Sequence, residues 1–136
     1  MLAAGWSGTA FAASEETEVM QPIHRFFEAF AHRDKAGMLA EAAPGLDVTS
    51  EQDGELHRMT IEELADRIVA FQGGAISETV RDPIIHVDGD LAVVWAPFTF
   101  AIDGKPHHCG IDLVTLFKLK GRWRIVGLAD NRHESC

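Results

Sequence analysis

The stretch from Leu91 to Leu119, LAVVWAPFTFAIDGKPHHCGIDLVTLFKL, limits the possible folds more than any other part of the chain. It reads as two long strands joined by a tight turn at Asp103-Gly104-Lys105-Pro106. The first strand is apolar in both parities. Leu91, Val93, Trp95, Pro97, Thr99 and Ala101 share one face; Ala92, Val94, Ala96, Phe98, Phe100 and Ile102 share the other. An antiparallel strand normally has one dry face and one wet face. Both faces of this one need cover, so something must pack on each side of its sheet.

The chain has 136 residues, one domain's worth and enough for a core without metal or disulfide staples. Its formal net charge of -9 argues against a nucleic-acid partner, which demands a basic face, and against charge-driven binding to anionic lipid. No run approaches the roughly 20 apolar residues a membrane-spanning helix needs. Residues 1–14, MLAAGWSGTAFAAS, stand apart: they are small and apolar and give way to the acidic Glu15-Glu16-Thr17-Glu18. Ala10-Phe11-Ala12 has the A-x-A form of a signal-peptidase site, although the basic n-region is missing. A start codon placed too far downstream accounts for that, and the alternative is an Ala-rich leader without meaning. Export to the periplasm or the exterior is expected, with a cytoplasmic protein as the alternative. Residues 1–14 are therefore set apart as a leader, residues 15–133 as the domain and 134–136 as a tail.

Within the domain, Val19, Ile23, Phe26, Phe27 and Phe30 recur at helical spacing over Glu15–His32, and Pro22 places the regular start near Gln21. Asp34 caps a second, shorter helix over Lys35–Ala43, stopped by Pro44-Gly45. Leu46–Met59 reads as two short strands turning at Asp53-Gly54. Thr60-Ile61-Glu62-Glu63 is a capping box for a third helix running to about Gln72. Four strands follow as a meander: Thr79–Val87 with Pro83 at an edge or bulge, the long pair, and Arg122–Asn131. Each helix has a single apolar stripe, so the helices cover one sheet face and a second copy of the chain is expected on the other.

Several segments resemble one family. An F-x-x-F-x-x-x-D helix end (Phe27 to Asp34), the capped third helix, and the runs DGDLAVVW, DGKPHHCG and GRWRIVGLADNR are similar to the NTF2-like superfamily, closest to its SnoaL-like or "putative lumazine-binding" group. The resemblance spans about residues 18–133. It implies an α+β, cystatin-like cone, with three N-terminal helices wrapped by a curved, mainly antiparallel sheet. It also implies a ligand pocket at the open end and homodimers through the outer sheet face. The superfamily's ketosteroid isomerases use a helix-borne tyrosine and a strand-borne carboxylate. Phe26 falls at the first position and Ser50, beside Glu51, at the second, and the chain contains no tyrosine. Phenylalanine cannot donate to an enolate and serine is a poor base alone, so that mechanism is not expected.

The most suggestive chemistry lies in His107-His108-Cys109-Gly110 and Asp112. Strand alternation allows only one of the two histidines to face a given site. Turn-based register sets His108 beside Ala101 and near His133, and Asp112 beside Ala129. His108 and Asp112 share a face and are the candidates for proton transfer if that face looks inward; otherwise Cys109, Ile111 and Leu113 do. Phe26, Phe30, Trp95, His108, Asp112, Trp123 and Asp130 are the candidate ligand-binding residues, the tryptophans as walls for a flat ligand or as ordinary packing. Asp130 and Arg132 share a face, either to anchor a ligand carboxylate or as a terminal ion pair. No metal-ligand spacing is present in His108, Cys109 and His133, and no cofactor is expected. Cys109 and Cys136 can meet if the protein is exported, with two free thiols the favoured state. The functional expectation is a small-molecule-binding module without catalysis; the alternative is a cofactor-free acid–base enzyme of isomerase, hydratase or cyclase type.

Overall fold

The computed structural model describes residues 8–136, with side chains from residue 15 onward. Helix α1 (Gly8–Ala31) is longer than the apolar stripe implies and carries Pro22 inside it. A proline there removes a backbone hydrogen bond. The helix nevertheless continues, because Val19, Ile23 and Phe26, on both sides of Pro22, are all buried in the core. The backbone of α1 begins within the stretch read as a leader; the side chains of Ala10–Ala12, where the cleavage motif falls, lie outside the described residues.

Helix α2 (Lys35–Ala40) is capped by Asp34, whose carboxylate accepts from the Gly37 amide at 3.0 Å. A hairpin of β1 (Asp47–Gln52) and β2 (Glu55–Thr60) comes before α3 (Ile61–Ala70). Only two helices therefore precede the sheet, and the expectation of three N-terminal helices is corrected. The capping box forms: Thr60 Oγ1 accepts from the Glu63 amide at 3.2 Å, and the Glu63 carboxylate accepts from the Thr60 amide at 2.9 Å. The segment read as one strand around Pro83 is two, β3 (Ile76–Val80) and β4 (Ile84–Asp88). Proline cannot donate to a ladder, and Asp82 before it sits at φ 47°, so the chain breaks and rejoins. Both pieces pair with β5 (Leu91–Ile102), β3 along residues 98–102 and β4 along 91–95. Strands β6 (Lys105–Leu119) and β7 (Arg122–Asp130) complete one seven-stranded sheet in the order β2-β1-β7-β6-β5-β3, with β4 also on β5. All pairs are antiparallel except β1 with β7, so the sheet is mixed.

The inward parity of β5 and β6 is the even one. Ala92, Val94, Ala96, Phe98, His108, Asp112, Val114 and Leu116 are buried. The odd parity leaves Leu91 (45% exposed), Trp95 (49%) and Phe117 (41%) on the outer face.

Two irregularities break the simple alternation. In the β5–β6 ladder Phe100 pairs with His108 but Ala101 pairs with Pro106, so His107 is an extra residue. In the β6–β7 ladder Leu116 pairs with Ile125 but Thr115 pairs with Gly127, so Val126 is extra. An extra residue turns the strand's subsequent side chains to the opposite face. On β7 the inward residues are Trp123 and Ile125 before the bulge, and Leu128 and Asp130 after it. This shift also moves Asp112 from its expected neighbour Ala129 to Asp130, and His108 from Ala101 to Phe100.

Gly127 permits the second bulge to close, since a Cβ there would lie 2.3 Å from Thr115 Oγ1. Gly127→Ala is expected to cost about 1–3 kcal/mol in denaturant unfolding, in the range for overpacking. Combining it with Thr115→Ala should recover most of that loss in a double-mutant cycle. Simple additivity of the two losses would show that the close approach does not constrain the bulge.

Candidate functional site

Between α1, α3 and the concave side of the sheet lies a chamber of about 470 Å³. Its walls are aromatic. Phe26, Phe27 and Phe30 come from α1, Phe98 and Phe100 from β5, and Phe71 follows α3. The phenyl rings meet edge to face, Phe26–Phe27 at 5.4 Å and Phe30–Phe100 at 6.1 Å between centroids, a favourable arrangement of ring quadrupoles.

The polar end of the chamber follows from register. Ser50 pairs with Asp130, Asp130 with Asp112, and Asp112 with Ala96, making one row across β1, β7, β6 and β5. A second row runs from Glu78 on β3 through Phe100 to His108. All of these except Ala96 line the chamber, together with His107, Asn131 and Arg132. Among the described residues no group of His, Cys, Asp and Glu is arranged to hold a metal ion.

Asp112 is the most deeply placed of the acids, 2% exposed, and its Oδ2 has no hydrogen-bond partner. Burial raises its pKa to about 7; a hydrogen bond from Glu78 works the other way and the charge of Asp130 adds to the rise. Glu78 is raised well above the carboxylate range, first by burial and then by Asp112. Two carboxylates cannot hydrogen-bond each other without a proton, so near neutral pH the pair shares one, with Glu78 donating to Asp112. Asp130 is also raised by burial, while the Ser50 hydroxyl and Arg132 favour its charged form.

His107 and His108 both face the chamber, contrary to the alternation argument, because the bulge inserts His107 between the paired residues. Their Nδ1 atoms are 2.9 Å apart, so one ring donates and the other accepts. His108 stacks on Phe100 at 4.8 Å. Burial, then Arg132 and His107, lower its pKa to about 4, which makes it a neutral hydrogen-bonding group at physiological pH.

Of the residues singled out from sequence, Phe26, Phe30, His108, Asp112 and Asp130 come together at the chamber. Trp95 and Trp123 do not. Trp95 lies on the opposite face of the sheet, and Trp123 is buried in the hydrophobic core before the bulge. Glu78 was missed. Its signal was a carboxylate between Ile76 and Val80 on one parity, an inward position for a charge.

The family described as "Putative lumazine-binding" matches residues 14–128. The chain belongs to this family. None of the curated proteins matches the sequence. Among solved structures, the chain resembles a protein of unknown function from Mycobacterium tuberculosis at TM-score 0.78 and 18% identity, covering 95% of this chain and 78% of that one. A cystatin-like protein of unknown function from Nostoc punctiforme gives 0.74 and 19%, covering 90% and 94%. An NTF2-like protein with a cystatin-like fold from Novosphingobium aromaticivorans gives 0.73 and 14%, covering 97% and 94%. These likenesses identify the fold as the NTF2-like, cystatin-like α+β architecture.

In this member of the "Putative lumazine-binding" family the C-terminal tail is fastened down. Cys109 and Cys136 form a disulfide, with Cα atoms 5.9 Å apart, where free thiols had been favoured. The bulge brings His133, not residue 132, opposite Cys109, and the two exchange backbone hydrogen bonds of 3.0 and 2.7 Å. Asn131 is held by its side chain, which accepts from the Ile111 amide at 2.7 Å. Gly110 leaves room for this crossing, since a Cβ there would lie 2.3 Å from the Asn131 carbonyl oxygen.

A carboxyl whose folded pKa exceeds its unfolded value costs stability. For Asp112 that cost is absent below about pH 4, where both states are protonated, and complete above about pH 7. At about 1.4 kcal/mol per pKa unit, Asp112→Asn should stabilise the fold by on the order of 4 kcal/mol at pH 8 and by little at pH 4. Urea unfolding at the two pH values tests this; an equal effect at both would contradict it.

Proposed function

We propose that the protein binds a small, partly flat organic molecule in the aromatic-walled chamber, polar end inward. The observation that carries this is the Ser50–Asp130–Asp112 row beneath six phenylalanine side chains. Pockets of this size with an apolar wall and a few convergent polar groups commonly bury most of a small ligand. The family's description is consistent with a flat heterocycle. Native mass spectrometry of the freshly purified protein is expected to find a small organic molecule bound near one per chain. Phe30→Asp, which puts a charge into the wall, should abolish its retention while the unligated fold persists by circular dichroism. Undiminished retention in that variant would overturn the chamber as the site.

One observation favours a second reading, cofactor-free proton transfer. Asp112 titrates near pH 7 beside a protonated Glu78, so one carboxylate can accept a substrate proton and the pair can return it. The proton-transfer role then belongs to Asp112 with Glu78, and His108, neutral at this pH, orients the ligand. Turnover on a panel of enolisable carbonyl and polyketide-like substrates is expected to fall at least about 100-fold in Asp112→Asn while binding survives. No turnover by the wild type between about pH 5 and 9 leaves binding without catalysis as the function.

The outer sheet face supports a homodimer. Ile84, Leu91, Trp95, Phe117 and Leu119 are 41–55% exposed, and the pairs Ile84–Trp95 and Leu91–Phe117 are direct cross-strand neighbours. A contiguous apolar surface of this kind is uncommon on a monomer. Sedimentation at tens of micromolar, roughly, should find a dimer that Trp95→Glu dissociates; a wild-type monomer would refute it. The disulfide favours an oxidising compartment and hence export.

A further inference from the structure

We propose that the molecule held in the chamber is an organic cation, an amine or amidine on a flat or compact apolar body; this rests on the chamber being a binding site.

Three features point the same way. The floor holds carboxyl groups from three separate strands, Glu78, Asp112 and Asp130, against a single guanidinium, Arg132. Among the described residues, the ion pairs join Arg25, Lys35, Lys118 and Arg122 to acids elsewhere, so no contact ion pair neutralises the floor. Asp112 lines the chamber and its buried Oδ2 has no hydrogen-bond partner, which leaves acceptor capacity at this end for a donor such as an ammonium or amidinium. The walls add attraction of the same sign, because the faces of phenylalanine rings draw cations and do not draw carboxylates. An anionic ligand would meet the same floor with repulsion, and the guanidinium at that floor, Arg132, already acts on Glu78 and Asp130, while Arg58 and Arg67 line the chamber from β2 and α3.

The shared proton gives the inference a signature with a fixed sign. A cation arriving beside Glu78 and Asp112 favours their charged forms and expels the proton. Binding of a cation therefore releases a proton near neutrality and tightens as the pH rises from roughly 6 to 8. An anion does the reverse. The other groups that face the floor are Asp130 on β7, Arg132 beyond it, and His107 and His108 on β6, while α1 contributes only phenyl rings. Glu51, His57, Arg58 and Arg67 also line the chamber, from β1, β2 and α3. His108, with its pKa near 4, stays neutral throughout this window.

The test compares three probes on the full chain: 2-phenylethylamine, 2-phenylethanol and phenylacetate, followed by NMR titration up to about 10 mM. At pH 8 the amine is expected to bind at least about tenfold more tightly than phenylacetate, with the alcohol between them. The amine's affinity should rise between pH 6 and 8, roughly, with proton release seen by calorimetry in buffers of differing ionisation enthalpy. Asp130→Asn should weaken the amine about tenfold more than the alcohol, and Arg132→Gln should tighten the amine. Phenylacetate binding as tightly as the amine, or amine affinity that falls with pH, overturns the cation while leaving the chamber as a binding site. Binding of none of the three overturns the chamber reading itself, and the cation with it.

Discussion

Side chains on a strand alternate, and the candidate site exists because that alternation is broken twice. Without the extra residue Val126, the parity that buries Trp123 and Ile125 would carry Ala129 into the chamber and turn Asp130 outward. Without the extra residue His107, one histidine of the adjacent pair would leave the site. Each bulge costs ladder hydrogen bonds, and each recovers a polar group at the concave end of the sheet. The two glycines near them, Gly110 and Gly127, are there because a Cβ at either would collide with the crossing tail or with Thr115.

Three acids on one floor, Asp112 buried and Glu78 and Asp130 half-buried, work against the fold, so the rest of the molecule must hold them. The core beneath Ile23, Val94, Val114 and Leu116 fixes α1 against the centre of the sheet. Away from the chamber, Arg25 grips the buried Glu41 through two hydrogen bonds of 2.8 and 3.2 Å, tying α1 to the end of α2. The Cys109–Cys136 disulfide keeps the tail, with Asn131 and Arg132, beside the acids. Closing a loop of this length contributes about 3–4 kcal/mol in the chain-entropy view. Stability is thus concentrated around the site and strain is placed within it, which is the usual distribution where a protein has chemistry or recognition to perform.

Much of this was legible in the residues. The two-faced strand Leu91–Ile102, the capping box at Thr60 and the turn at Asp53-Gly54 all form as their local chemistry requires. So does the grouping of His108 with Asp112 on one face, although the residues left open which face looks inward. What failed was anything that depended on counting across a turn. A single inserted residue has no signature in hydrophobic pattern, yet it reassigns every later partner, as with Asp112 and Asp130. Pro22 misled for another reason: local propensity marks a helix start, but the packing of Val19, Ile23 and Phe26 overrides it. The residue types of Trp95 and Trp123 could not separate ligand wall from core or outer face, and only burial did so. Glu78 escaped notice because the strand was begun one residue after it.

The central claim is that Glu78 and Asp112, both facing the chamber, share a proton near neutral pH. Carbon-detected NMR of the side-chain carboxyls, titrated from about pH 3 to 9, reads this directly. The account predicts that Asp112 titrates near pH 7, with the Glu78 signal moving through the same transition. An Asp112 signal that titrates near pH 4, independently of Glu78, would contradict it.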